Sequence, residues 1–144
     1  AQFLVIVFTN QPDARTGRTS EAIVQAMHEE LRRHVAVDEI RVCFHVDADN
    51  CLCRKPKPGM ILDAAREHGI DLAASYVVGD RWRDIEAGRN AGCLPILIDY
   101  GYEHDGPMRP AVTVTSLPEA ATFIIDCATQ DRGTGHDNAE RRAS

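Results

Sequence analysis

The chain has no surplus of positive charge: 16 Lys and Arg stand against 22 Asp and Glu, for a formal net charge of -6. Without a basic stripe to displace counterions from phosphates, a nucleic-acid binder is excluded. No apolar run approaches the roughly 20 residues that a membrane span needs, so no membrane partner is expected. No signal-peptide pattern precedes the first strand-like segment, which makes the cytoplasm the expected location. An even set of cysteines is also lacking. There are five, and Cys43, Cys51 and Cys53 crowd into one short stretch where the last two are separated by a single residue. That spacing suits metal ligation better than a disulfide framework.

What is present is a soluble globular composition, with 144 residues, 44% hydrophobic and 26% charged, enough for one domain with a real core. Residues 3–8 (Phe-Leu-Val-Ile-Val-Phe) form an apolar run suited to a strand buried on both faces. Residues 19–34 read as an amphipathic helix, with Ile23, Val24, Met27 and Leu31 on its stripe and Thr19 or Ser20 as N-cap. Strands are expected at 39–44, 76–78, 95–99 and 112–115, and helices from Pro58 to a stop at Gly69, over 83–91 and over 118–127. Strand alternating with helix predicts an α/β domain with a parallel sheet, spanning residues 1–128. Residues 129–144 carry no apolar periodicity and read as a disordered tail. Cys93 and Cys127 sit among apolar neighbours and read as small buried hydrophobes.

The chemistry concentrates in residues 43–56, where Cys43-Phe44-His45 is followed by Cys51-Leu52-Cys53-Arg54-Lys55-Pro56. Cys43, His45, Cys51 and Cys53 offer four soft ligands, the number a structural Zn²⁺ takes in a tetrahedron. Arg54 and Lys55 on a loop so fixed are placed for an anion such as phosphate. In open α/β sheets, ligands sit beyond the carboxyl ends of the strands. Thr9, Asn10 and Gln11 follow the first strand and Gly79-Asp80 the third, which adds a hydroxyl, amides and a hard oxygen ligand for Mg²⁺.

This order of motifs resembles the haloacid dehalogenase (HAD) superfamily of phosphatases. Within it, the element Cys-Arg-Lys-Pro-Lys-Pro-Gly joined to the metal ligands is similar to the zinc-containing branch of heptose bisphosphate and histidinol-phosphate phosphatases. The resemblance implies a Rossmann-like parallel sheet of the HAD type and a small phosphorylated metabolite, such as a sugar bisphosphate, as substrate. Catalytic roles fall on Lys55, Thr9 and Asp80, and substrate contacts on Thr9, Asn10, Gln11, Arg54 and Lys55. Mg²⁺ falls to Asp80 and Asp84, and Zn²⁺ to Cys43, His45, Cys51 and Cys53. A histidinol-phosphate substrate, or a zinc-stabilised domain that binds phosphorylated ligands without hydrolysing them, are the alternatives.

The family's nucleophile lies in an Asp-x-Asp motif at the end of a first strand, ahead of the segment that ends at Thr9. Here nothing precedes Ala1-Gln2 and the first residue is not Met, so truncation and an inactive or impaired enzyme are expected. Asp47-Ala48-Asp49 spells the motif but lies inside the metal loop and caps no strand. In the family that first strand is central. Its absence would leave two neighbouring strands about 10 Å apart, unable to pair, and open to complementation by another strand or to dimerisation.

Overall fold

The computed structural model describes residues 3–134. Among the described residues five strands and five α-helices follow one another, alternating as the periodicity predicts except that two helices follow the first strand and the last two strands have no helix between them. They form two sheets rather than one. Strand β1 (Ile6–Asn10) pairs in parallel with β2 (Glu39–Cys43), with Ile6 opposite Glu39 and Asn10 opposite Cys43. The second sheet has the order β3 (Tyr76–Gly79), β4 (Leu94–Ile98) and β5 (Val112–Val114), again all parallel.

Strand β1 begins three residues later than the apolar run suggests, because Asp38 closes the entry. Its carboxylate accepts from Val5 N at 2.7 Å and its own N–H donates to Val5 O at 2.8 Å. The register with β2 then carries the strand through Asn10, so Thr9 and Asn10 lie on it and not beyond it. A short helix α1 (Pro12–Thr16), which no periodicity announces, follows from proline at its first position.

Helix α2 (Glu21–His34) is capped by Ser20, whose side chain accepts from Ile23 N, one of the two caps expected. Its buried face differs from expectation. Val24 and His28 are buried, whereas Ile23 and Met27 are 54% and 57% exposed. The stripe that packs runs through 24 and 28, one helical turn apart, so the histidine takes a position that hydrophobicity alone assigns to methionine.

Helices α3 (Gly59–His68) and α4 (Trp82–Ala91) cover one face of the second sheet. There Ile61, Ala87, Ala91 and Cys93 make a buried cluster against Val77, Leu72 and Phe8. On the opposite face Tyr76 and Val78 pack with Ile96, Ile98, Val114 and Ala120 against helix α5 (Leu117–Thr134). The two clusters alternate along β3, as side chains of a strand covered on both faces must. Cys93 is buried as expected, but Cys127 is only half-buried. Helix α5 continues into the segment expected as a tail, and residues 135–144 lie outside the described part.

Strands β1 and β3 are not neighbours in either sheet. Side chains of both, Ile6 and Phe8 on one and Val77 on the other, line an apolar slot of about 90 Å³ closed by Ile61 and Cys93. The expectation that these two strands do not pair agrees with this arrangement.

Candidate functional site

The carboxyl ends of β1, β2 and β3 converge on one loop, residues 44–58, and Lys55 is the residue that ties them. Its Nζ donates to Phe8 O of β1 at 2.9 Å and to Asp84 Oδ1 of α4 at 2.6 Å. Its backbone is gripped from the side: Asn10 Oδ1 accepts from Lys55 N at 3.2 Å and Asn10 Nδ2 donates to Lys55 O at 3.3 Å. One asparagine at the end of β1 thus fixes the lysine's main chain, and the lysine's side chain bridges the two sheets. Thr9, one residue back, is half-buried and its hydroxyl accepts from Gln11 Nε2 at 2.9 Å.

Asp80 follows β3 directly. Its side chain is 39% exposed, and Arg81 Nε lies 3.8 Å from its carboxylate. Asp84, one turn into α4, is differently placed, because both of its oxygens are engaged. Oδ1 takes Lys55, and Oδ2 accepts from Arg81 N at 3.1 Å, capping the helix. The Arg81 guanidinium stacks 3.8 Å from the centroid of the Tyr102 ring.

The metal loop starts at Cys43, the last residue of β2, which is buried. Donor atoms of Cys43, His45, Cys51 and Cys53 all lie within 4.8 Å of one another. The Cys53 sulfur is 3.1 Å from that of Cys43 and 3.4 Å from that of Cys51, and Cys43 is 3.7 Å from Cys51. His45 Nδ1 completes the figure at 3.3 Å from Cys53 and 3.6 Å from Cys43. A zinc tetrahedron with bonds of about 2.0–2.3 Å has ligand–ligand edges of roughly 3.5–3.8 Å, so this donor set fits with a slight expansion.

Electrostatics favour a cation there. Burial, followed by the neighbouring thiols, pushes Cys53 up to about 12, and burial also raises Cys43. Cys51 moves down: burial opposes its ionisation, but hydrogen bonding from Cys53 and from the Arg54 backbone outweighs that. Three thiols so close cannot all ionise without a positive charge at their centre, which a bound divalent ion supplies.

The rest of the loop is braced. Lys57 Nζ donates to the Asn50 side chain and to Cys51 O at 3.0 Å. Gly59 opens α3 against Leu52, and a Cβ there would lie 2.3 Å from Leu52 O. Only glycine permits that approach. Arg54 Nε donates to Asp47 Oδ1 at 2.7 Å and Nη1 to His45 O at 3.1 Å. Asp47–Asp49 forms a single 3-10 turn inside the loop and does not stand at the carboxyl end of a strand. Arg54 holds the Asp47 carboxyl below its usual range, against the effect of burial, with help from Arg83.

Of the residues singled out from the sequence, His45, Cys51, Cys53, Arg54 and Lys55 lie on this loop, Asn10 and Asp84 bond to Lys55, and Gln11 bonds to Cys43 O and to Thr9, whereas Asp80 follows β3 with Arg81 as its near cation. Sequence reasoning missed Arg83 and Lys57. Arg83 reaches Asp47 across 36 positions, a separation at which no local pattern carries a signal. Lys57 stood in plain view within the Lys-Pro-Lys run but gave no reason to separate it from Lys55. A second group of possible ligands, Glu39, Glu67 and His68, is filled by an ion-pair network. Arg41 donates to Glu39 at 3.2 Å and to Glu67, and His68 pairs with Glu39 at 2.8 Å.

The HAD-hydrolase-like family profile matches residues 52–123, from within the Cys/His loop into the first half of α5. A D-glycero-beta-D-manno-heptose-1,7-bisphosphate 7-phosphatase of Bordetella bronchiseptica is 41% identical over 133 residues, covering 89% of this chain and 72% of the relative. One from Pseudomonas aeruginosa is also 41% identical, covering 89% of this chain and 71% of its own length. Among solved structures, the D,D-heptose 1.7-bisphosphate phosphatase from B. bronchiseptica, complexed with magnesium and phosphate, superposes with a TM-score of 0.77 at 33% identity. The match covers 85% of this chain and 74% of that one.

Proposed function

Because the chain belongs to the HAD-like hydrolases, we propose that it is a phosphomonoester hydrolase domain acting on a sugar bisphosphate of the heptose 1,7-bisphosphate class, in the cytoplasm. The observation that carries this reading is Lys55, a cation held between Phe8 O of β1 and Asp84 in the first turn of α4. The names of the relatives favour the heptose substrate over histidinol phosphate.

In this reading the Lys55 ammonium faces the transferring phosphoryl group and offsets charge on its equatorial oxygens. The Thr9 hydroxyl, fixed through Gln11, donates to the same group. Asn10 holds the backbone of Lys55 so that its side chain need not be ordered at the moment of reaction. Asp80, with a carboxylate 39% exposed and only the Arg81 guanidinium near it at 3.8 Å, suits a hard divalent ion. Mg²⁺ bound there supplies Lewis-acid neutralisation of the phosphoryl oxygens. Asp84 serves that site indirectly, holding Lys55 in place. Cys43, His45, Cys51 and Cys53 would hold Zn²⁺, which would fix the loop that carries Arg54 and Lys55. The attacking carboxylate belongs to an Asp on a strand between β1 and β3, which the described residues do not include. It attacks phosphorus in line as the P–O bond to the sugar breaks and the sugar oxygen leaves with a proton, and water then hydrolyses the acyl phosphate.

The test is phosphate release from heptose 1,7-bisphosphate with Mg²⁺, by the 144-residue chain alone and with an Asp-bearing strand supplied as a peptide or by chain extension. Turnover is expected only with the strand, and to fall at least a hundredfold in Lys55→Ala. Full turnover by the chain alone, lost on replacing Asp47 or Asp49, would overturn the assignment of the nucleophile.

A further inference from the structure

Asp47 is contacted by two guanidinium groups from separate parts of the fold. Arg54 Nε, on the metal loop, lies 2.7 Å from its Oδ1. Arg83, in the first turn of α4, brings Nη1 to 3.4 Å from Oδ1 and Nη2 to 3.4 Å from Oδ2. Each arginine has a second anchor. Arg54 donates to His45 O at 3.1 Å, and Arg83 donates to Lys55 O at 3.3 Å while resting 4.7 Å from the centroid of the Trp82 ring. The Trp82 indole is itself held by Asp105, at 2.6 Å.

Charge and space point the same way. Two cations against one carboxylate leave a net positive charge, and Arg54 and Asp47 line a cavity of about 140 Å³ with Asn50, Lys55 and Lys57, while Arg83 stands outside that lining and meets it through Asp47 and Lys55 O. A guanidinium that is already paired and stacked has lost its rotamer freedom before any ligand arrives, so a second anion meets it at a smaller entropic cost. A carboxylate is also a geometric stand-in for the two oxygens of a phosphate, which guanidinium groups grip in the same forked way.

Building on the phosphatase reading, we propose that Asp47 is a positioning residue. It sets Arg54 and Arg83 side by side, so that the pair, and not Arg54 alone, receives an anionic group of the phosphorylated substrate. Arg83 thereby becomes a substrate contact that belongs to α4, and Asp47 makes the metal loop and α4 act as one binding surface.

The experiment is calorimetric titration of a non-hydrolysable bisphosphonate analogue of heptose 1,7-bisphosphate into the zinc-loaded 144-residue chain. Asp47→Asn, Arg83→Gln and the double variant are compared with the parent, with zinc content and melting temperature measured alongside. Each single variant is expected to weaken binding about tenfold, the loss of one charge-assisted contact. The double variant should be no weaker than either single one, because Arg83 and Asp47 act as a unit. Asp47→Glu should recover most of the affinity, and zinc content should stay at one per chain throughout. Unchanged affinity in Asp47→Asn, additive losses in the double variant, or a loss of affinity that tracks loss of zinc overturns the proposal. Lys55→Ala keeps the two claims apart: if it too leaves binding intact, the phosphate site itself is misassigned.

Discussion

Lys55 Nζ sits 2.6 Å from Asp84 Oδ1, with both side chains only 14% exposed. The lysine comes from the loop after β2 and the aspartate from α4, so one ion pair connects the metal loop to the second sheet. The same Nζ also holds Phe8 O of β1. In a fold whose two sheets do not share a hydrogen-bonded ladder, this contact is a polar link between β1 and the helix α4 that packs on the second sheet.

Replacing Asp84 by Ala leaves the Lys55 ammonium largely buried with one carbonyl as partner. Removing one member of a buried pair costs more than the pair itself is worth, about 3 kcal/mol. Asp84→Ala should therefore lower the free energy of urea unfolding by about that amount. The double variant Lys55→Met/Asp84→Leu, apolar at both positions, should recover most of it. A double variant as unstable as Asp84→Ala would show that the pair does more than neutralise itself.

Gly79, at the end of β3, is where that aspartate finds room. A Cβ at Gly79 would lie 2.3 Å from the Asp84 Cβ and 2.7 Å from its Oδ2. Gly79→Ala must push Asp84 away from Lys55 or shift the start of α4, at a cost of about 1–3 kcal/mol from overpacking. Any residual phosphatase activity or phosphate affinity should fall with stability, since Lys55 loses its anchor. Gly79→Ala in the Asp84→Gly background should be far milder, which unfolding curves would reveal.

Stability should also depend on acid through the join between β2 and α3. Hydrogen bonding from His68 lowers the Glu39 carboxyl; burial opposes this, and Arg41 adds to the lowering. A carboxyl whose folded value is depressed favours the folded state above its ordinary value near 4.5 and loses that contribution as pH falls through the depressed one. Melting temperature should thus be level near neutral pH and decline below the ordinary carboxylate range. Glu39→Gln should flatten part of that decline, and an unchanged acid limb would show that Glu39 contributes nothing to it.

The sequence made the alternation of strands and helices legible because β3 and β4 are apolar throughout, as strands covered on both faces must be, and β1 opens on Ile6-Val7-Phe8 before its polar end at Thr9-Asn10. It made the cluster of Cys43, His45, Cys51 and Cys53 legible because residues that converge within one loop keep their spacing in the chain. The buried face of α2 was not legible, since His28 packs where hydrophobicity favours Met27. Nor was the partner of Asp84. A carboxylate one turn after Gly79-Asp80 suits a metal as well as it suits Lys55, and only the fold brings residue 55 against it. The bridge from Arg83 to Asp47 was invisible for the same reason: both are surface-type residues with no periodic neighbours, and their contact exists only once α4 and the loop are side by side.

Zinc should bind this chain in a ratio of one ion per chain and should stabilise it. The loop from Cys43 to Cys53 buries little apolar surface, with Leu52 pointing outward at 76% exposure, so its order rests on Lys57, Gly59 and the four ligands. Without a cation the thiols compete for ionisation, and the Cys53 thiol is held up to about 12. Zinc binding therefore releases protons, and its affinity must fall as pH is lowered. Chelation, or Cys53→Ser, is expected to lower the melting temperature by about 10 °C, equivalent to about 3 kcal/mol in a domain of this size. Because the same loop carries Lys55, phosphate affinity should drop with it, while Cys93→Ser and Cys127→Ser should leave zinc content unchanged. Metal analysis of freshly purified, reduced protein checks the claim directly. A chain that contains no zinc, or that loses its zinc with no change in melting temperature, would remove the metal from any role in holding Lys55 and Arg54.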